Sequence, residues 1–269
     1  MAGRFRLNSN NFLTGRGNLR EKGKIYLASD FHLGLTAGTI PAVREKRVVQ
    51  WLEEIRSDAS EIFLVGDIFD FWWEYKLVVP RGFTRFLGTI ASITDSGIPV
   101  HFFTGNHDMW VTDYLSGECG MIIHTSPYTA VLNGKKFHIA HGEGLGSENT
   151  GYRILLSIFR NKLLRRLYSA LHPSIGVGIG HKWSLHSRLG KGIMLEYMGE
   201  EKEDLIKYSK GVLEKEDIDY FIFGHRHLAM SHVLASGSMV IFLGDWVRHS
   251  SYAEWDGEKL MLKTAGQSG

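Results

Sequence analysis

"EIFLVGDIFDFW", residues 61 to 72, sets an apolar run from Ile62 to Val65 directly before Gly66 and Asp67. A short apolar run with turn chemistry behind it reads as a buried strand whose end meets a loop. The same order recurs in KIYLASDFHLG (24–34), IPVHFFTGNHD (98–108), KFHIAHGEG (136–144) and DYFIFGHRH (219–227), with MVIFLGDW (239–246) as a further instance. Between the first strands, PAVREKRVVQWLEEIRS (41–57) puts Val43, Val48, Trp51, Leu52 and Ile55 at near-helical spacing behind a proline, and TRFLGTIASITDSG (84–97) reads as a helix that stops at Gly97. Strands alternating with helices predict an α/β sheet, and ligands of such sheets gather at the carboxyl ends of the strands. One shared site is therefore expected.

The stretch from about 145 to 215 differs. YRILLSIFRNKLLRRLYSALH (152–172) reads as one helix with Ile154, Leu155, Ile158, Phe159, Leu163, Leu167 and Leu171 as its apolar stripe and Arg153, Arg160, Lys162, Arg165 and Arg166 on other faces. IGVGIG (175–180) reads as a glycine-rich break, after which helix resumes to about residue 216. Because the strand DYFIFGHRH comes after it, this stretch is expected to be a helical insertion within a single domain over 23–269, behind a flexible N-terminal segment over 1–22. GLGSENTG (144–151) is too irregular for a phosphate loop, and no G-x-x-x-x-G-K-[ST] occurs.

Composition bounds the partners. A formal net charge of +2 is too small to argue for nucleic acid. The single cysteine, Cys119, excludes an intramolecular disulfide and a cysteine-rich zinc site, and is expected to be packed. No apolar run approaches the roughly 18 residues of a membrane helix, and the N-terminal residues lack a stretch of signal-peptide length, so a cytoplasmic protein is expected.

The polar residues at the strand ends are Asp30 and His32, Asp67, Asn106 with His107 and Asp108, His141, and His225 with His227. This oxygen and imidazole set, without sulfur, suits Mn²⁺, Fe²⁺ or Zn²⁺. In D-x-H and H-x-H the two side chains would share one face of a regular strand, and at a strand end turning into a loop both can converge on one cation. There are more ligands than one octahedral ion needs, which points to two metals sharing a carboxylate. A pair about 3.5 to 4 Å apart suits hydrolysis of a phosphate ester or diphosphate.

The ordered set D-x-H (Asp30, His32), G-D-x-x-D (Gly66, Asp67, Asp70), G-N-H-D (Gly105 to Asp108), H-G (His141, Gly142) and G-H-x-H (Gly224, His225, His227) resembles the calcineurin-like metallophosphoesterase family. The resemblance implies a β-sandwich flanked by helices, a four-layer αββα arrangement with a helical lid. It implies one metal held by Asp30, His32, Asp67 and His227, and a second held by Asp67, Asn106, His141 and His225, with manganese as the expected ion. The branch of the family that looks most similar implies cleavage of the diphosphate of UDP-2,3-diacylglucosamine in lipid A synthesis, at the cytoplasmic face of the inner membrane, and implies no protein partner. Many members carry Arg at the place of His107 and Asp at that of Glu143. The alternatives are a phosphoesterase for another phosphodiester and a binding module of the same fold.

Other residues carry narrower expectations. His107 is placed to protonate the leaving oxygen or to stabilise it as a cation, with Asp108 orienting its ring. Asp70 is expected to hold the loop after Asp67. Phe69, Phe71, Trp72, Trp73 and Tyr75 form either packing under that loop or an apolar wall for an acyl chain or uracil. The basic and apolar residues of the insertion are either a solvated face or a membrane-facing one. The resemblance also implies that Asn149, Tyr152, Ser187, Arg188 and Lys191 face the substrate.

Overall fold

The computed structural model describes residues 23–36, 40–146, 150–190 and 196–266. The expected flexible segment over 1–22 lies outside the described residues. In chain order the elements are β1 (Lys24–Ala28), α1 (Pro41–Ile55), β2 (Ala59–Val65), α2 (Thr84–Asp95), β3 (Val100–Phe103), α3 (Tyr114–Cys119), β4 (Ile122–His124), β5 (Tyr128–Leu132) and β6 (Lys135–Ala140). Next come α4 (Thr150–Arg160), α5 (Lys162–Ser169), α6 (Pro173–Gly190), α7 (Asp204–Leu213), β7 (Tyr220–Phe223), β8 (Ala229–Val233), β9 (Met239–Leu243), β10 (Ser251–Trp255) and β11 (Leu260–Thr264).

The strands form two sheets, ordered β11-β10-β1-β2-β3-β4 and β5-β6-β7-β9-β8. In the first, β1 to β4 run parallel; in the second, β6, β7 and β9 do. Strand periodicity sorts their side chains into layers. Ile25 and Leu27, Phe63 and Val65, Phe137 and Ile139, and Ile241 and Leu243 meet in the core between the sheets. The alternate residues of the first sheet, Tyr26, Ile62, Leu64 and Phe102, pack under Val48, Trp51, Leu52 and Ile55 of α1 and Phe86, Ile90 and Ile93 of α2. Phe221, Phe223, Val240 and Phe242 of the second sheet pack under Leu205 and Ile206 of α7. The result is the expected four-layer αββα sandwich.

Two buried charges of α1 hold neighbouring segments in place. Arg44 donates from Nη1 to the carbonyls of His32 (2.9 Å) and Leu35 (3.2 Å), fixing the loop after β1. Glu45 Oε1 accepts from the amides of Arg85 (3.1 Å) and Phe86 (3.3 Å), capping α2, whose own preceding residue, Phe83, offers no side-chain cap. Val43, grouped with the apolar face from its spacing, is instead exposed. Cys119 is packed as expected, its thiol pushed up to about 11 by burial and by Glu118.

The insertion departs from its sequence reading in three ways. The helix expected over 152–172 breaks at Asn161, whose side chain accepts from the amides of Leu163 and Leu164 and so starts α5. IGVGIG lies inside α6 instead of breaking it. The glycines serve close approach: a β-carbon at Gly180 would collide with the Phe71 ring, and one at Gly176 with the Tyr75 hydroxyl. Finally, residues 196–203 are not helical, and α7 belongs to the outer layer of the second sheet. No helix among the described residues is long and apolar enough to cross a membrane.

A polar chain crosses β2, β3 and β4 to the edge of the first sheet. His101 pairs through Nε2 with Glu61 Oε1 (2.7 Å) and through Nδ1 with His124 Nε2 (2.8 Å). Burial, reinforced by His101, pushes the His124 imidazole down from 6.5 to about 4. As pH falls from 6.5 toward 4, the unfolded chain binds a proton that the folded one refuses, so stability is lost across that window. Urea denaturation from pH 7 to 4 should therefore show a shallower loss of stability in His124→Gln than in the native chain; parallel curves would contradict this.

Candidate dimetal centre

The parallel strands of both sheets deliver their carboxyl ends to one place. Asp30 and His32 lie after β1, Asp67 after β2, Asn106 to Asp108 after β3, His141 after β6, and His225 and His227 after β7. The side chains do not converge by sharing a strand face. Asp30 (φ 55°), His32 (45°), Asp67 (53°), His225 (62°) and His227 (53°) all adopt left-handed backbone. Each such residue costs about 1–3 kcal/mol and persists only where its surroundings over-determine it, a pattern that clusters at functional sites.

Two glycines of the motifs are required by proximity. A β-carbon at Gly105 would run into Asp67 Oδ1, and one at Gly224 would lie 2.7 Å from Asp30 Oδ2. The motif glycines admit the ligand-bearing side chain of the neighbouring strand.

Asp67 stands at the centre. Its Oδ2 lies 3.4 Å from His141 Nε2 and 3.9 Å from both His32 Nε2 and His107 Nε2, while Oδ1 accepts from the His107 amide at 2.9 Å. Asp30 Oδ1 lies 3.4 Å from His227 Nε2 and 3.6 Å from His32 Nε2. All of these except His227 are buried. Burial works to raise the Asp67 carboxyl, but the imidazoles of His141 and His107 outweigh it and hold the group well below the usual carboxylate range. Burial raises the Asp30 carboxyl, opposed in part by His227.

The outer nitrogens of three rings are committed elsewhere, which leaves Nε2 facing the centre. His141 Nδ1 donates to the Val65 carbonyl (2.9 Å), and His107 Nδ1 to the Asp70 carbonyl (2.8 Å). His227 Nδ1 meets Asp245 Oδ2 (3.2 Å). Among the described residues, Asp30 Oδ1, Asn106 Oδ1 and His141 Nε2 are buried without a hydrogen bond, an arrangement that fits cation ligation. Three sets bring their potential ligand atoms within 4.8 Å of one another: Asp30, His32 and His227; Asp67, His141 and His225; and His32, Asp67 and His107. The residues present thus fit divalent metal ions, with His107 Nε2 beside them.

Asp108 does not orient His107. Its Oδ2 accepts from the amides of Ile68 (2.7 Å) and Phe69 (3.3 Å) and its Oδ1 from that of Gly105 (2.7 Å), so it ties the loop after β3 to the loop after β2. Burial and the nearby Asp67 push its carboxyl up to about 7, with the amide donors pulling the other way. The ring is oriented by Asp70, whose amide also donates to the Leu33 carbonyl (2.9 Å), so Asp70 does hold its loop. It also reaches the insertion: Asp70 Oδ1 accepts from Ser184 Oγ of α6 at 2.9 Å.

Asp245 escaped the sequence reading. It is buried after β9, accepts from the amides of Val247 (2.8 Å) and Arg248 (2.6 Å), and backs both His227 and His249. The Gly-Asp pair closing MVIFLGDW was the available signal. Of the expected substrate contacts, Asn149 and Lys191 lie outside the described residues, as do the side chains of Tyr152, Ser187 and Arg188.

The aromatic run divides between the core and the wall of a cavity. Phe69 and Trp72 turn into the core beneath the loop. Phe71 and Trp73 turn outward with Trp110 and meet Phe159, Tyr168 and Trp183 of the insertion. There they line an apolar cavity of about 510 Å³. Trp183, in its wall, stands 5.6 Å from His107 between ring centroids.

A family model described as calcineurin-like phosphoesterase matches residues 23–229. A UDP-2,3-diacylglucosamine hydrolase of Porphyromonas gingivalis is 44% identical over 256 residues, covering 90% of this chain and 98% of the relative. One from Actinobacillus succinogenes is 25% identical over 239 residues, covering 86% and 95%. A dimetal phosphatase structure from Danio rerio aligns over 91% of this chain and 99% of its own, at 13% identity and a TM-score of 0.47. On the family match and the close relative, this chain belongs to the calcineurin-like phosphoesterase family.

Proposed function

We propose that this chain hydrolyses the diphosphate of UDP-2,3-diacylglucosamine, giving UMP and 2,3-diacylglucosamine 1-phosphate in lipid A biosynthesis. The observation that carries the reading is the apolar cavity beside His107, walled by Phe71, Trp73, Trp110 and the insertion. An apolar chamber of this kind beside a carboxylate and imidazole centre suits a substrate with acyl chains next to its phosphates. The name of the 44% identical relative supports the same substrate.

Asp30, His32, Asp67 and His227 would hold one ion and Asp67, Asn106, His141 and His225 the other, with Asp67 between them and Mn²⁺ the expected metal. Bound there, two divalent ions supply positive charge to the phosphoryl oxygens and make hydroxide available near neutral pH. Asp245 keeps the His227 ring oriented, as Val65 does for His141. The Asp70 carbonyl fixes a hydrogen on His107 Nδ1, so Nε2 is the atom that exchanges a proton with substrate. As water attacks the α-phosphorus, that nitrogen gives its proton to the departing oxygen of the sugar phosphate. Hydrolysis in ¹⁸O-labelled water with added manganese should place the label in UMP. Label in the sugar phosphate would overturn the attack site, and no UMP from the acylated substrate would overturn the function.

Ile154, Ile158, Leu163, Leu167, Ile175 and Ile179 of the insertion are exposed, beside Lys162 and Arg166. Apolar residues flanked by cations suit an anionic membrane surface, here the cytoplasmic face of the inner membrane. The protein should sediment with phosphatidylglycerol vesicles, and the Leu163→Glu, Leu167→Glu double variant should lose most of that binding. Equal sedimentation of both proteins would contradict peripheral attachment.

A further inference from the structure

A second cavity, of about 370 Å³, also touches the centre, with His141 and Gly142 in its wall. The turn between β4 and β5 supplies His124, Thr125, Ser126 and Pro127, and Thr104 lies just after β3. Helix α4 stands beside both cavities: Leu156 and Ser157 face this one, whereas Ile158 and Phe159 face the apolar one.

The two differ in chemistry. Hydroxyls of Thr104, Thr125 and Ser126 line the smaller cavity and take part in no hydrogen bond among the described residues. Its size lies toward the low end of the range of about 300–1,000 Å³ for small-molecule sites, enough for one nucleoside and too little for two acyl chains. The His124 ring is held flat against Phe103 (4.5 Å between centroids, 15° between planes) and bonded to His101, giving the wall a fixed aromatic face. Its depressed pKa keeps that face uncharged near neutrality.

We infer that this cavity is the nucleoside subsite, taking a pyrimidine nucleoside 5′-phosphate with its base among Thr104, Thr125, Ser126 and His124 and its phosphate toward His141. Uracil presents one N–H donor and two carbonyl acceptors, and hydroxyls that both donate and accept can match it. The inference rests on the function proposed above, since a diphosphate joining a nucleoside to a lipid must have those halves on separate sides of the scissile bond. One cavity shares His141 with the centre, and the other approaches it through Trp183 beside His107. The bond between the halves then lies at the centre itself.

The test is a titration of manganese-loaded protein with UMP and, separately, with 2,3-diacylglucosamine 1-phosphate. Ser126→Trp fills the cavity from an exposed turn, and Thr104→Val removes a hydroxyl without adding bulk; melting curves establish that each variant folds. Filling the cavity should weaken UMP by about tenfold or more and the lipid phosphate by less than about twofold, and Thr104→Val should weaken UMP by about threefold. A native chain that fails to bind UMP, variants that keep UMP affinity, or equal weakening of both ligands would overturn the subsite. A native chain that binds UMP in this manner but does not cleave the acylated substrate would sustain the subsite and sink the proposed function. Cleavage of that substrate with UMP affinity unchanged in both variants would do the reverse.

Discussion

The structure turns on one buried carboxylate, Asp67, set among the imidazoles of His32, His107 and His141 where the ends of two sheets meet. Isolated charge in such a place is strongly unfavourable, and it is tolerated only when paired or coordinated. Much of the surrounding architecture serves that pairing. Parallel strands on both sheets aim their carboxyl ends at it, left-handed residues turn the side chains inward, and glycines let neighbouring strands come close. Carbonyls of Val65 and Asp70 then fix which nitrogen of His141 and His107 faces the carboxylate.

The insertion is joined to this centre by chemistry as well as by packing. Asp70 links them: its carbonyl holds the His107 ring and its carboxylate holds Ser184 of α6. A substrate that displaced α6 would thereby disturb His107, the residue proposed to protonate the leaving group. The Phe71 and Trp73 rings extend the same loop into an apolar wall, so a single segment, residues 67 to 73, carries a metal-ligand candidate, the brace of the His107 ring and the lining of a cavity.

Much of this was legible in the sequence because strand-end chemistry is local. An apolar run followed by Gly and Asp, Asn or His marks both a strand and the position of a candidate ligand, and every such residue singled out among 30 to 227 is brought to the same region. The helices α1 and α2 were legible from periodicity. Most of what failed depended on partners distant in sequence, the break at Asn161 excepted, where the cap reaches only to Leu163 and Leu164. A glycine-rich helix such as α6 looks like a break until Phe71 and Tyr75 are seen pressed against it. Adjacency suggested that Asp108 orients His107, but the tight turn points its carboxylate back at three amides. The short strands β4, β5, β8, β10 and β11 carry too few residues for period-two alternation to stand out. Asp245 lacked a neighbouring histidine in sequence to draw attention to it; its histidine partners are His227, on another strand end, and His249, four residues on.

The most direct test of a shared two-metal centre built on Asp67 is electron paramagnetic resonance of the protein titrated with Mn²⁺, alongside metal analysis. Two ions bridged by one carboxylate at about 3.5 to 4 Å should bind in a ratio of two per chain and give an exchange-coupled spectrum, which Asp67→Asn should abolish. A single ion per chain, or two ions with independent spectra in the native protein, would contradict it.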